Sequence, residues 1–210
     1  MGMKVTRIEE LTKSRSKVYI DEEFAFVLYK GELRQYHFVP GEEISPEDYE
    51  TITTQVLPKR AKLRAMNLLK NKEYTVKQLR DKLLEGGYPE RVVKEALDYV
   101  AGFHYTDDLR YAVAFITCHE GTRSRRRMEQ DLLGRGIDRD TLEQAWVEWE
   151  EQGGRQDEQA MIMKLLEKRG YDPEKADIKE KQRQGAFLMR RGFSGEQVRK
   201  ALFGGGYEDC

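Results

Sequence analysis

The fold of this chain is decided by one short stretch, Leu132-Leu133-Gly134-Arg135-Gly136-Ile137, which recurs in related form at two other places. The related stretches run from Leu83 to Tyr88 and from Leu188 to Phe193, and all three end in a glycine followed by a large apolar residue. Nine positions after that glycine, each stretch is followed by an alanine and a large apolar residue, as in Ala145-Trp146. A glycine that stops one helix and a small residue that lets the next helix pack closely indicate a helix-turn-helix unit.

A third helix precedes each of these helix pairs, which gives a repeat of about fifty residues. The extra helices are predicted over residues 60–69, 109–118 and 158–166. Three such three-helix units in tandem predict a mainly α-helical, elongated and curved molecule in which each repeat contacts its neighbours. We divide the chain into a β-rich N-terminal extension, residues 1–44, and three helical repeats, residues 45–108, 109–154 and 155–210.

The N-terminal segment predicts a small β-structure. Lys17–Ile20 and Phe24–Tyr29 are β-branched and aromatic runs on either side of an acidic turn, which indicates a β-hairpin. We expect further strands within Val5–Leu11 and within Tyr36–Val39.

Local signals place several helix ends. Ser45 followed by proline and two acids predicts a helix start, and Thr75 and Ser194 each precede a glutamine by three residues, as in a capping box. We expect positive φ angles at the repeated glycines Gly87, Gly136 and Gly192.

Composition narrows the class of protein. The 210 residues include 37 Lys and Arg against 38 Asp and Glu, so a binding surface for an anionic partner must be local. No apolar run approaches the roughly 18 residues of a membrane span. Cys118 and Cys210 match no metal or redox spacing, which fits a reducing compartment. We expect a cytoplasmic monomer that does not contact membranes.

Few residues suggest catalysis. His104, Cys118 and His119 lie near one another in sequence, but their spacing suits neither a metal site nor a nucleophile with its base, so we interpret them as packing and rim residues. Asp107-Asp108 could act as paired carboxylates, but just before a helix that starts near Leu109 they are better explained as N-terminal caps. We therefore expect no catalytic residue, metal or cofactor.

The two tryptophans admit two interpretations. Trp146 and Trp149 could form a platform on which bases stack. Trp146 occupies the repeat position held elsewhere by leucine, however, and this periodicity favours a place in the core. No glycine-rich phosphate loop with its lysine occurs, which argues against nucleotide hydrolysis.

The segment from Phe103 to Ala112 resembles a signature of the RecX family, Gly-Tyr-Leu-Asp-Asp-x-x-Phe-Ala. His104 stands where the family has glycine, and the polar insertion Asp172–Glu180 lengthens the third repeat. The basic stretch from Gly121 to Ile137 is also similar to the family, and the resemblance covers roughly residues 58–206. The N-terminal hairpin resembles the extension of Gram-positive-type members. The signature residues are Tyr105, Asp107, Asp108, Tyr111 and Ala112.

This resemblance implies a function without catalysis. RecX proteins lie in the groove of the RecA filament on single-stranded DNA, bridge successive protomers, and suppress strand exchange and RecA-assisted LexA self-cleavage. The chain would then regulate DNA recombination, DNA repair and the SOS response.

Basic residues are concentrated in the second and third repeats, on either side of an acidic zone. These charges could be solvated helix faces that exchange salt bridges, or a surface for an acidic partner, with a weak direct contact to DNA. We expect the RecA-binding surface to include Arg123, Arg125, Arg126, Arg127, Arg135, Arg190 and Arg191.

The alternative is a helix-turn-helix protein that reads DNA sequence. Against it, the second helices of the first two pairs, residues 90–100 and 140–151, are acidic or mixed, whereas a helix that enters the major groove should be basic.

Overall fold

A four-stranded antiparallel sheet begins the chain in a computed structural model that describes residues 2–204. The strands lie in the order β3-β2-β1-β4. They are β1 (Met3–Thr12), β2 (Arg15–Ile20), β3 (Glu23–Tyr29) and β4 (Glu43–Ile44).

The predicted hairpin is confirmed in β2 and β3. Asp21 and Glu22 form its two-residue turn with φ angles of 49° and 70°. Two consecutive left-handed residues match the right-handed twist of the paired strands, and a short polar side chain such as aspartate tolerates this conformation.

The prediction of a strand at Tyr36–Val39 is wrong. Helix α1 (Lys30–Gln35) ends just before this segment, and His37 has a φ of 52° that turns the chain back. The amide of Phe38 donates to the carbonyl of Leu33 at 2.9 Å, and the Phe38 ring packs 6.0 Å from the Phe26 ring. Phe38 and Tyr36 therefore pack against the core beyond a helix end, whereas Val39 is exposed. Glu43–Ile44 supplies the strand that pairs with β1.

After residue 44 the described chain consists of helices and the loops that join them, which confirms a mainly α fold with a small N-terminal strand region. The first group comprises α2 (Pro46–Thr51), a π-helical turn (Ile52–Val56), α3 (Leu57–Asn71), α4 (Val76–Glu85) and α5 (Glu90–Gly102). The second comprises α6 (Asp108–His119), α7 (Arg125–Gly134) and α8 (Arg139–Glu151). The third comprises α9 (Glu158–Lys168), α10 (Ile178–Arg190) and α11 (Gly195–Phe203).

The predicted helix ends are confirmed. The Ser45 hydroxyl accepts from the amide of Asp48 at 3.2 Å, and Thr75 and Ser194 both form complete capping boxes. The repeated glycines have φ angles of 82° at Gly87, 92° at Gly136 and 91° at Gly192.

The chain forms two compact units, one up to Asp107 and one from Asp108 onward. In the first unit, the buried face of the sheet joins one core with α3, α4 and α5. The second unit has one core formed by α6–α8 and another formed by α9–α11. Trp146 and Trp149 are buried in the former, which confirms their assignment to the core. The finer division at residues 44, 108 and 154 stays a prediction.

Within residues 2–204, no helix is both long and apolar enough to cross a membrane.

Candidate partner-binding groove

A groove in the second unit gathers five of the seven arginines that were predicted to bind a partner. Leu165 adds apolar surface to it, Phe193 is buried in the adjacent core, and Asp131 is the one acidic residue in the lining. The arginines of the groove are Arg123, Arg127, Arg135, Arg190 and Arg191.

The groove exists because the glycine turn of the third helical group packs on the N-terminus of α7. Ser124 caps α7: its buried hydroxyl accepts from the amide of Arg127 at 3.3 Å and donates to the carbonyl of Arg191 at 2.9 Å. Gly192 lies against the same cap, and a Cβ at this position would come within 2.5 Å of the Ser124 hydroxyl. This contact brings Arg127 and Arg191 together although they are distant in sequence.

Asp131 orders one side of the groove. Its carboxylate accepts ion pairs from Arg123 at 2.7 Å and from Arg127 at 3.2 Å, with a side chain only 17% exposed. Arg135 donates to the hydroxyl of Tyr111 and lies 4.5 Å over the Phe115 ring. These three guanidinium groups are therefore held in place before any partner arrives.

The other side of the groove is less constrained. Arg190 and Arg191 are exposed, and neither has an acidic partner within 4.0 Å in the part of the chain that the structure describes. The Arg191 guanidinium lies 4.7 Å over the ring of Phe187, which leaves its edge available to an acceptor. These two side chains can offer their hydrogen-bond donors to a ligand without breaking an internal ion pair.

The remaining two predicted arginines lie outside the groove lining. Arg125 pairs with Glu129 at 3.1 Å and with Glu150 at 3.5 Å, and covers the Trp146 ring at 4.4 Å. Arg126 is exposed and has no acidic partner within 4.0 Å among residues 2–204. Consecutive helical residues point about 100° apart, so the basic run is divided among three directions.

Several signature residues have local structural roles. Asp108 is the first residue of α6, where a negative charge favours the positive helix end, and Asp107 directly precedes it. Ala112 is fully buried in the core of α6–α8. Tyr105 is 49% exposed and stacks on Phe103 with the ring centroids 5.7 Å apart.

The sequence did not predict that a signature residue contacts an arginine of the groove. The hydroxyl of Tyr111 accepts from Arg135, so this signature residue positions a groove arginine. The importance of Ser124 was also missed, although a serine directly before a helical basic run is a recognisable cap signal.

The histidine and cysteine residues considered for catalysis do not line the groove, although the carbonyl of His119 accepts from the amides of Thr122 and Arg123, which do. Cys118 and His104 are exposed, and His119 lies with its Nδ1 2.7 Å from the carbonyl of Phe115. No group of three or more His, Cys, Asp or Glu residues within residues 2–204 is arranged to hold a metal ion. Cys210 lies outside the described residues.

Two family models match the chain, described as the first and the third three-helix domain of RecX. They cover residues 61–99 and residues 156–202, respectively. A regulatory protein RecX of Caldanaerobacter subterraneus is 32% identical over 202 residues, which is 95% of this chain and 98% of that protein. The RecX of Neisseria meningitidis serogroup B is 32% identical over 156 residues, 72% of this chain and 97% of that protein.

Two solved structures share the fold. A crystal structure of regulatory protein RecX has a TM-score of 0.60 at 23% identity and covers 95% of this chain and 98% of its own. A second, of RecX from Lactobacillus salivarius, has a TM-score of 0.54 at 19% identity and covers 70% of this chain and 95% of its own.

Proposed function

Since the chain belongs to the RecX family of regulatory proteins, we propose that it binds the RecA filament on single-stranded DNA and inhibits it without catalysing a reaction. Binding would suppress both the recombinase activity of RecA and the RecA-assisted cleavage of LexA. A bound regulator would exclude other ligands from the filament surface that it covers. A regulator that binds one state of the filament more tightly would also shift the equilibrium towards that state.

The observation that carries this proposal is the arginine groove of the second unit. Five guanidinium groups face one carboxylate there, so the groove keeps an excess of positive charge that an acidic partner can neutralise. The planar fork of arginine pairs with a carboxylate through two parallel hydrogen bonds. Leu165 supplies partly exposed apolar surface beside these donors, which favours a protein surface that presents an acidic side chain next to an apolar one.

The alternative, a reader of DNA sequence, has less support. The exposed face of α8 carries Asp140, Glu143, Glu148 and Glu151 around one shallow cleft. Such a helix would be repelled by the phosphates that line the major groove.

The proposal is tested by titrating the protein into a RecA strand-exchange reaction at a fixed filament concentration. In the variant Arg190→Glu/Arg191→Glu, two attractive charges become repulsive, and we expect the concentration needed for half inhibition to rise by about tenfold or more. The matched control, Arg199→Glu/Lys200→Glu, makes the same change of charge at exposed positions of α11 outside the groove. It should inhibit at nearly the wild-type concentration.

Neither Arg190 nor Arg191 has an internal acidic partner among the described residues, so the fold should survive the double reversal, which circular dichroism checks. A folded groove variant that inhibits RecA as well as the control would refute the groove as the contact. A wild-type protein without effect on RecA would refute the function itself.

A further inference from the structure

A second basic cleft lies in the first unit, where the N-terminal sheet meets α3 and α4. Four cationic side chains from three elements line it: Arg15 from β2, Arg60 and Arg64 from α3, and Lys82 from α4. The one carboxylate in the lining belongs to Glu85.

Two of these cations are anchored within the protein. Arg60 pairs with Glu32 at 2.7 Å, and its guanidinium lies 4.4 Å over the Tyr29 ring with a side chain only 17% exposed. Its Nε is nevertheless buried without an acceptor among the described residues. Lys82 pairs with Glu85 at 2.8 Å, and this hydrogen bond, as the largest cause, raises the pKa of the Lys82 ammonium above its ordinary value. Lys82 therefore stays charged at neutral pH.

The other two cations have no internal counter-charge in the described part of the chain. Arg15 is half-buried and Arg64 is exposed, and neither has an acidic partner within 4.0 Å among the described residues. Both guanidinium groups can therefore donate to a ligand without breaking an internal ion pair. The cleft thus has two cations held by internal partners and two without an internal acidic partner among the described residues.

The guanidinium groups in this cleft can bind a phosphate as well as a carboxylate, and the aromatic rings near them are what favours a nucleic-acid ligand here. A phosphodiester offers two unesterified oxygens on a tetrahedral centre, and a chain of phosphodiesters repeats this pattern at every nucleotide. Arginine is well suited to such a ligand because its donors lie in one rigid plane and its charge does not titrate.

One exposed aromatic ring lines the cleft, and a second lies on the same strand near the glycine turn beside it. Tyr29 lines it and is 43% exposed, and Phe24, on the same strand, is 46% exposed. Phe24 is close to the glycine turn after α4, because a Cβ at Gly87 would lie 3.8 Å from the tip of its ring. Proteins that bind single-stranded nucleic acid combine a cationic groove with exposed aromatic rings. The phosphates contact the cations, and the bases stack on the rings.

We propose that this cleft binds the phosphate backbone of single-stranded nucleic acid. Arg15 and Arg64 contact the phosphates, and the rings of Phe24 and Tyr29 accept stacked bases. The inference is independent of the proposed inhibition, since it concerns a different unit of the molecule and a different ligand.

The experiment measures fluorescence anisotropy of a labelled oligothymidylate with the full-length chain in the absence of RecA, over a series of salt concentrations. The variant Arg15→Glu/Arg64→Glu should raise the dissociation constant by about tenfold or more. It should also lower the slope of log affinity against log salt by about 1.4, which corresponds to two lost phosphate contacts on a single strand. The control Lys59→Glu/Lys94→Glu makes the same charge change at exposed positions that do not line the cleft, and it should keep the wild-type slope.

Two further measurements separate a nucleic-acid strand from a small phosphate ligand. Phe24→Leu should weaken oligothymidylate binding by about fivefold, because a stacked base is lost. Unlabelled pyrophosphate should compete only weakly, since it has no base.

The proposal is overturned if wild-type protein does not bind the oligonucleotide, or if the cleft variant and the control have equal affinities and slopes. It is also overturned if Phe24→Leu has no effect while pyrophosphate competes as well as the oligonucleotide. Because RecA is absent, none of these results bears on the inhibition itself.

Discussion

At residue 192 a glycine is required for two separate reasons, its φ of +91° and the absence of space for a side chain. Gly153 provides a matched comparison, because it has a φ of +89° but a Cβ added there would meet no atom within 4 Å among the described residues. We expect Gly153→Ala to lower the free energy of unfolding by about 1 kcal/mol through backbone strain alone. Gly192→Ala should cost about 2–3 kcal/mol, because the new methyl group also collides with Ser124 and Arg127. Urea denaturation followed by circular dichroism measures both, and equal losses would show that the contact with α7 relaxes freely.

Ser124 also combines two functions in one hydroxyl group. Like Ser45, it caps a helix, but it additionally donates to the carbonyl of Arg191. Ser45→Ala should therefore lower the free energy of unfolding by about 1 kcal/mol, and Ser124→Ala by about 2–3 kcal/mol, because a second hydrogen bond is lost at a buried site. The same denaturation experiment tests the difference. If both variants lose the same amount, the bond to Arg191 adds nothing to stability.

At the scale of the single helix, the cap of α8 makes stability depend on pH. The carboxylate of Asp138 accepts from the amide of Thr141 at 2.8 Å and from its hydroxyl at 2.7 Å. The backbone hydrogen bond is the larger cause that holds the pKa of Asp138 below its ordinary value of 3.8. A lowered folded-state pKa stabilises the protein above the ordinary value, and this contribution is lost as the pH falls through the folded-state pKa.

Asp138→Asn isolates this effect, since asparagine also caps helices but carries no charge. We expect the wild type to melt at a higher temperature than the variant at neutral pH, and the difference to shrink towards zero as the pH falls through the lowered pKa of Asp138. Thermal melts at a series of pH values provide the measurement. A difference that stays constant across the series would show that the charge of Asp138 does not contribute.

At the scale of the whole molecule, the two compact units have separate apolar cores. The core of the first unit includes residues from Val5 to Val100, and those of the second lie between Ala112 and Leu202. We therefore expect residues 108–210, produced alone, to keep their helical content and to unfold cooperatively in urea, because burial of these cores is the main source of stability. Circular dichroism tests this, and a fragment without helical signal would show that the second unit requires the first.

Polar contacts at the N-terminus of α7 join the second and third helical groups within that unit. Glu158 accepts from the amide of Arg125 at 2.5 Å and from the side chain of Gln197 at 2.6 Å. Gln156 donates to the carbonyl of Arg123 at 2.9 Å. These contacts fix the position of one helical group against the other although their apolar cores are distinct.

The sequence by itself determined the features that depend on neighbouring residues along the chain. Helix starts at Thr75 and Ser194, positive φ angles at the repeated glycines, and the hairpin turn follow from side-chain caps and backbone sterics, which act over a few residues. The backbone conformation of His104 was not predicted, although the glycine that the family pattern has at this position is a local signal of the same kind. His104 adopts a φ of 56°, which explains why the family pattern has glycine there.

Tertiary structure alone decided which side chains meet. The strand predicted at Tyr36–Val39 does not form, because Tyr36 and Phe38 pack against the core just after the end of α1. An alternating apolar pattern does not distinguish such a segment from a strand. The arginine run was divided, with Arg125 drawn to Trp146 and Arg127 joined to Arg190 and Arg191 in one groove. Helical spacing determines the direction in which each arginine points, but the neighbour it meets depends on how helices about sixty residues apart pack, and no local pattern encodes that distance.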